Sequence, residues 1–362
     1  MPPERAGPPP QNECMPPIRR YIEINGRWLS KPMTGTGRYS EEVVKALIAA
    51  GHQVLLWVPR NARLPEWTSE VSIQMLASKG QVFEQVHLPL RTLGRPLLSM
   101  GGPAPAFKRR QVAVLHDATP FRLPETYSRA FASWYRWLYR RIARSKATIA
   151  TVSTFSAREL GEFLHLDVGS IVLAAPAGTS SPGSTVPSDR LPEKFFLTVG
   201  TPARHKNLLP VIEAVAGQGM NVVCVGLSGS SQVFASSALP HDERVARLGR
   251  VSDEELQWLY RNAQALLFPS LYEGFGLPAL EAQLAGCPVI ASQAGPMPEV
   301  LGDSALLVDP QRPELFAAAA RSLLEEPALR EDLRQKGLVN AARFAWSRTA
   351  TILASAMSAR VH

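Results

Sequence analysis

Nowhere does this chain carry the run of about 18 uncharged apolar residues that a bilayer-spanning helix needs. Its three cysteines, Cys14, Cys224 and Cys287, have neither metal-ligand nor disulfide-framework spacing, which fits a reducing compartment. The first residues, Met1-Pro-Pro-Glu-Arg-Ala-Gly-Pro-Pro-Pro10, have no apolar core of the kind a secretory signal needs. Their proline density makes residues 1–17 an expected disordered lead-in, and the expected location is the cytoplasm. Nucleic-acid recognition motifs are also missing, so nucleic acid is not an expected partner. The net charge of +8 then leaves phosphorylated small molecules and anionic lipid as partners. With 45% hydrophobic and 19% charged residues, the composition is that of a globular protein, and 362 residues suffice for two domains with separate cores.

What is present is an alternation of strands and helices. Ile18 to Ile24 reads as a strand, a helix capped by Ser40 runs to about Ala50, and Val54 to Val58 is a second strand, the opening of a doubly wound α/β sheet. Gly35-Thr36-Gly37 lies between them, about ten residues after the first strand, with Ser40 where a dinucleotide fingerprint needs its third glycine. No acidic residue ends the second strand, which argues against a nicotinamide cofactor. Residues 60–110, broken by prolines and glycines, are expected to be irregular around one or two short elements. The strand beginning at Gln111 then delivers His116 and Asp117 to its carboxyl end, where open α/β sheets bind ligands. From position alone, a structural role for His116 is the commoner reading.

Ser128 to Lys146 reads as a helix that interleaves Phe131, Trp134, Tyr135, Trp137, Leu138 and Tyr139 with Arg129, Arg136, Arg140, Arg141, Arg144 and Lys146. Two readings stand side by side, an interfacial membrane helix and a core helix with a solvated basic face. Ala147 to Val152 is a further strand, Ser156 caps a helix from Ala157, and Ile171 to Ala174 ends the first sheet. A Pro-, Gly- and Ser-rich stretch follows, placing a linker at 179–192 between a first domain, 18–178, and a second, 193–344.

The second domain opens with the strand Lys194 to Gly200, followed by Thr201-Pro-Ala-Arg204-His205-Lys206-Asn207, a basic cluster at a strand end that suits a diphosphate. A helix from Leu208, a strand from Asn221 and a helix capped by Ser252 continue the alternation. Next comes Phe268-Pro-Ser-Leu-Tyr-Glu273-Gly274-Phe275-Gly276-Leu277-Pro278-Ala-Leu-Glu281, an apolar strand, a glycine-containing turn and a helix begun by a first-turn proline. Such a junction turns free backbone N–H groups toward an anion, and the two carboxylates suit paired sugar hydroxyls.

This string closely resembles the signature of the retaining GT-B glycosyltransferases of family 4. The resemblance implies two Rossmann-like domains facing a cleft, with the last helix, 345–362, crossing back onto the first. It implies that Glu273 and the amides of Gly274, Phe275, Gly276 and Leu277 hold the donor sugar, that Glu281 holds the ribose, and that the backbone near Val251 holds the base. It brings Gly35 and Gly37 to the donor phosphates and acceptor, Thr201, Arg204 and Lys206 to the diphosphate, and His116 to the reaction centre. The match is imperfect here: where many relatives read Pro-Arg-Lys-Asn this chain reads Arg204-His205-Lys206-Asn207, so the guanidinium is displaced by one residue or partly replaced by the His205 imidazole.

The sequence has no Asp-x-Asp pair to hold a divalent cation, so neither metal nor other cofactor is expected. The resemblance implies transfer of a hexose with retained configuration, GDP-mannose being the favoured donor and a glycan or lipid-linked molecule the acceptor. A non-catalytic nucleotide-sugar- or carbohydrate-binding protein of the same fold is the alternative.

Overall fold

The computed structural model describes residues 21–102, 104–181, 185–187, 191–226 and 242–359. The lead-in 1–17, the start of the expected first strand and parts of the expected linker lie outside the described residues.

Two all-parallel sheets organise the described residues. The first has seven strands in the order β3-β2-β1-β4-β5-β6-β7. They are β1 (Ile22–Asn25), β2 (Val54–Pro59), β3 (Ser72–Leu76), β4 (Leu97–Ser99), β5 (Gln111–Val114), β6 (Thr148–Thr151) and β7 (Val172–Leu173). The second has six, in the order β10-β9-β8-β11-β12-β13. These are β8 (Phe196–Val199), β9 (Val222–Val225), β10 (Val245–Gly249), β11 (Leu266–Phe268), β12 (Val289–Ser292) and β13 (Leu306–Val308). Strands such as β9, Val-Val-Cys-Val, are buried throughout, as parallel strands covered on both faces must be.

The longer helices among the described residues are α1 (Gly35–Ala49), α2 (Arg129–Ala143), α3 (Thr154–Leu164), α4 (Leu208–Gly217), α5 (Asp253–Asn262), α6 (Leu277–Leu284), α7 (Pro313–Glu325), α8 (Pro327–Ala341) and α9 (Trp346–Ser358). Two caps differ from the sequence reading. Thr34, not Ser40, caps α1, its hydroxyl accepting from the Gly37 N–H at 3.3 Å, so Gly35 and Gly37 form the helix's first turn rather than a loop. The Ser40 hydroxyl instead donates to the Thr36 carbonyl within the helix. Ser153, not Ser156, caps α3, because the helix begins as soon as the chain leaves β6. Ser252 caps α5 with the reciprocal bond from Glu255.

Residues 60–110 contain β3 and β4 and a continuous helical run over 80–91, built of an α turn (Gly80–Val82), a π segment (Phe83–His87) and a second α turn (Leu88–Arg91). Strand β10 was not read from the sequence; its residues Val-Ala-Arg-Leu-Gly are only half-buried at a sheet edge and lack a continuous apolar run.

Helix α9 returns from the second sheet to pack on α1. The Thr349 hydroxyl donates to the Ala175 carbonyl, the Tyr39 hydroxyl donates to the Ala174 carbonyl at 2.8 Å, and the Trp346 ring meets Tyr39 edge-on at 5.6 Å. Leu353 is fully buried in the shared core. Leu353→Ala is expected to lower stability by about 2–5 kcal/mol in chemical denaturation. A change near zero would mean that α9 is not anchored through this side chain.

Candidate functional site

In each sheet the chain leaves two neighbouring central strands in opposite directions, β1 and β4 in the first, β8 and β11 in the second. Ligands bind at such switch points, outside the carboxyl ends of the strands. Lys206 follows β8 and Glu273 follows β11. Their side chains meet at the second switch point, the Lys206 ammonium donating to Glu273 Oε1 at 2.5 Å.

The loop that carries Glu273 is seated against the first sheet. A Cβ on Gly274 would stand 2.6 Å from the His116 carbonyl oxygen, so only glycine allows this approach. The Gly274 carbonyl accepts from the Ser153 and Ser156 hydroxyls at 2.6 and 3.0 Å, and the Tyr272 hydroxyl accepts from the Ala118 N–H at 3.2 Å. Gly276 has φ +99° and starts α6 hard against Met297. The Phe275 ring turns into the core, edge-on to Phe344 at 5.5 Å, which leaves only its backbone for a ligand.

His116 is half-buried, held by a 2.7 Å contact between Nε2 and the Met100 carbonyl and by the Tyr39 ring edge-on at 4.9 Å. Burial lowers its pKa, the Met100 carbonyl and Asp117 opposing that shift, so the neutral imidazole is favoured. With Nε2 facing a carbonyl acceptor, the proton belongs on Nε2 and Nδ1 is left as an acceptor.

A cavity of about 630 Å³ lies between the domains, lined among others by Met33, Arg38, Val251, Asp253, Gln257 and Glu281. Arg38 of α1 and Asp253 of α5 form an ion pair across it. Glu281 is buried in its wall, and burial pushes its carboxyl up to about 7 against the pull of the Arg38 guanidinium. The site thus has two parts: Glu281 and Val251 share the cavity, whereas Lys206, Glu273 and His116 do not line it and gather at the strand ends beside it.

The remaining expected residues are less engaged. Gly35 has open space around it and Gly37 packs on Met33. Thr201 is exposed, and so is Arg204, while Leu277 is half-buried at the start of α6. Of the basic triplet, His205 is the inward neighbour of Lys206: its Nδ1 is buried with no hydrogen-bond partner among the described residues, and desolvation, then Lys206, lower its pKa. Sequence reading passed over His205 as a partial stand-in for arginine, and it missed Arg38 and Tyr272 altogether. Arg38 carries no local signal, because its partner Asp253 is 215 residues away.

Glu281 makes stability depend on pH. A carboxyl with its folded-state pKa above its unfolded value binds more protons when folded, so stability falls as pH rises from about 4.5 to about 7 and levels off beyond. The expected loss is roughly 3 kcal/mol. Comparing Glu281→Gln with wild type by denaturation across that window checks it; parallel pH profiles would contradict it.

Residues 187–338 match the family model "Glycosyl transferases group 1". The chain is 27% identical over 360 residues to O-antigen chain mannosyltransferase B of Escherichia coli, covering 88% of this chain and 94% of that protein. It is 28% identical over 224 residues to the O-antigen chain mannosyltransferase RfbU of Salmonella typhimurium, covering 60% of this chain and 62% of that one. Among solved structures, Anabaena HepE in complex with UDP and glucose superposes with a TM-score of 0.73 at 16% identity, over 93% of this chain and 99% of that chain. The two facing parallel-sheet domains are the GT-B fold, and with the matched second domain and these relatives they support a glycosyltransferase.

Proposed function

We propose that the protein is a retaining hexosyltransferase of family 4, moving a sugar from a nucleoside-diphosphate donor to a glycan or lipid-linked acceptor in polysaccharide assembly. The observation that carries this reading is the Lys206–Glu273 pair at the second switch point, on a loop seated against the His116 backbone. The nucleoside lies in the cavity with its base near Val251 and its ribose hydroxyls on Glu281, and the diphosphate runs from there to Lys206 and the amino terminus of α6. Mannose is the favoured sugar, in keeping with the two mannosyltransferases to which the chain is similar. GDP is the favoured nucleotide.

In the transfer, the bond from the anomeric carbon to the diphosphate oxygen breaks while the acceptor oxygen bonds to the same face. The acceptor's proton passes to the departing phosphate. Lys206 and the N–H groups at the start of α6 stabilise the charge that gathers on the leaving group, so no metal ion is needed. Glu273 accepts from hydroxyls of the transferred sugar, and neutral His116 lies beside it.

The enzyme works in the cytoplasm, in peripheral contact with an anionic membrane face through residues 128–146. Among the described residues no helix is long and apolar enough to cross a membrane. Helix α2 divides its apolar residues: Leu138, Tyr139 and Ile142 are buried, while Phe131 and Trp137 are exposed. It therefore combines the two readings of the sequence, a packed inner face and a basic aromatic outer one.

Thermal shift against a panel of nucleotide sugars tests donor choice directly, GDP-mannose being expected to stabilise most. Glu281→Ala should weaken nucleotide binding and Glu273→Ala should chiefly lower turnover, each by about 1.5–3 kcal/mol. Unchanged kinetics in both variants would sink the assignment. Activity should also survive excess chelator; complete loss, restored by manganese or magnesium, would refute the charge-stabilisation scheme.

A further inference from the structure

The chain's positive charge is not spread evenly. Residues 79–110 and 127–146 together hold 12 of the 39 Lys and Arg and one of the 31 Asp and Glu, leaving 27 cationic and 30 anionic side chains elsewhere. That one acid, Glu84, is buried against Arg27 and Asn25. Several of the cations are engaged: Arg95 pairs with Glu23 at 2.9 Å, and the Lys108 ammonium donates to the Thr92 and Arg95 carbonyls at 2.7 and 2.8 Å. Among the described residues Arg136, Arg140, Arg141 and Arg144 form no ion pair with a carboxylate. With Ser133 and Trp137 they line a pocket of about 240 Å³.

Beside this cluster lies an apolar stripe. In the run over 80–91, Phe83, Glu84 and Leu88 point inward, whereas Val82, Val86 and Leu90 recur every four residues on the outer face. They are 54%, 47% and 65% exposed, and Leu93 just beyond is 79% exposed. Single exposed hydrophobics are ordinary; four in line form a patch. Leu90 also lines a pocket of about 260 Å³ against the edge strand β3, with Leu76 and Ala77.

The stripe and the arginines are joined. Gln85, between Val82 and Val86, donates to the Ala104 carbonyl at 3.3 Å and accepts from the Ala106 N–H at 2.9 Å. The next residue, Phe107, is 65% exposed, with the Trp137 ring at 6.2 Å and the Arg141 guanidinium over its face at 4.6 Å.

We propose that the run over 80–91 and α2 together seat the first domain on an anionic phospholipid surface. Val82, Val86, Leu90 and Leu93 enter the acyl boundary, and the α2 guanidiniums take the headgroup phosphates. This rests on the membrane contact proposed above for residues 128–146 and adds the element that inserts. Arginines without carboxylates next to an apolar stripe match a phosphate layer over hydrocarbon. A second copy fits worse, since it would bring the same cationic face against itself.

Sedimentation of the full chain with phosphatidylglycerol–phosphatidylcholine vesicles tests the proposal. Binding should persist at high salt, and the double variant Val86→Asp, Leu90→Asp should lose about tenfold or more in partition. Leu90→Trp should bind like wild type and shift its emission to the blue when vesicles are added. Equal partition of the Asp variant and wild type would overturn insertion while leaving contact through α2 alone. Absence of binding at low salt would overturn both. Self-association abolished by the Asp substitutions, with vesicle binding unchanged, would assign the stripe to a second copy instead. Release by inorganic phosphate at constant ionic strength would make α2 a free-phosphate site and equally defeat the proposal. Donor-induced thermal shift should be the same in every variant, which separates this test from that of sugar transfer.

Discussion

The geometry of the site depends on one close approach, that of Gly274 to the His116 carbonyl, which leaves no room for a Cβ. Around it the contacts are short and polar: two serine hydroxyls of the β6–α3 junction on the Gly274 carbonyl, and the Tyr272 hydroxyl under the Ala118 N–H. A second set supports it from the far side, where the Glu299 carboxylate accepts from the Thr154 and Phe155 N–H groups at 2.7 and 2.9 Å, a charge at the positive end of α3. Residues that follow four different strands, β5, β6, β11 and β12, are thereby held together. A side chain at 274 would push the Glu273 loop away from the first domain, and with it the carboxylate that meets Lys206.

The electrostatics divide along the same line. Glu281, buried in the cavity wall, has its carboxyl pushed up to about 7, so protonated and ionised forms coexist near neutral pH, and it faces Arg38 and Asp253, whose own charges cancel. Glu273 and Lys206 are less buried and pair directly. One half of the cleft is thus suited to hydroxyl recognition by a carboxyl that shares its proton, the other to a group whose developing negative charge competes for an ammonium. His116, kept neutral by burial, adds no third charge between them.

Much of this was legible in the sequence because it is local. The strand–turn–helix at 266–284 is written in contiguous residues, with Pro278 in the first turn and glycines where a positive φ or a close approach is required. The alternating pattern yielded the parallel sheets, and the Ser252–Glu255 capping box was recognisable from spacing alone. What escaped depends on contacts distant in the chain. Arg38 meets Asp253, and Tyr272 meets Ala118, pairs that neither periodicity nor composition brings together. The caps of α1 and α3 were displaced because Thr34 and Ser153 precede the serines that looked suitable, and the helices start where the chain clears the sheet. Half-buried β10 and the π-containing run over 80–91 follow neither of the regular periods.

A crystal structure with a bound nucleoside diphosphate is the most direct test of the central claim, that one ligand spans both halves of the cleft. The ribose hydroxyls are expected on Glu281, with the base beside Val251 and the terminal phosphate within hydrogen-bond reach of Lys206. A nucleotide bound with its phosphates on the α2 arginines, or in the cavity with its diphosphate directed away from Lys206 and the start of α6, would contradict the account.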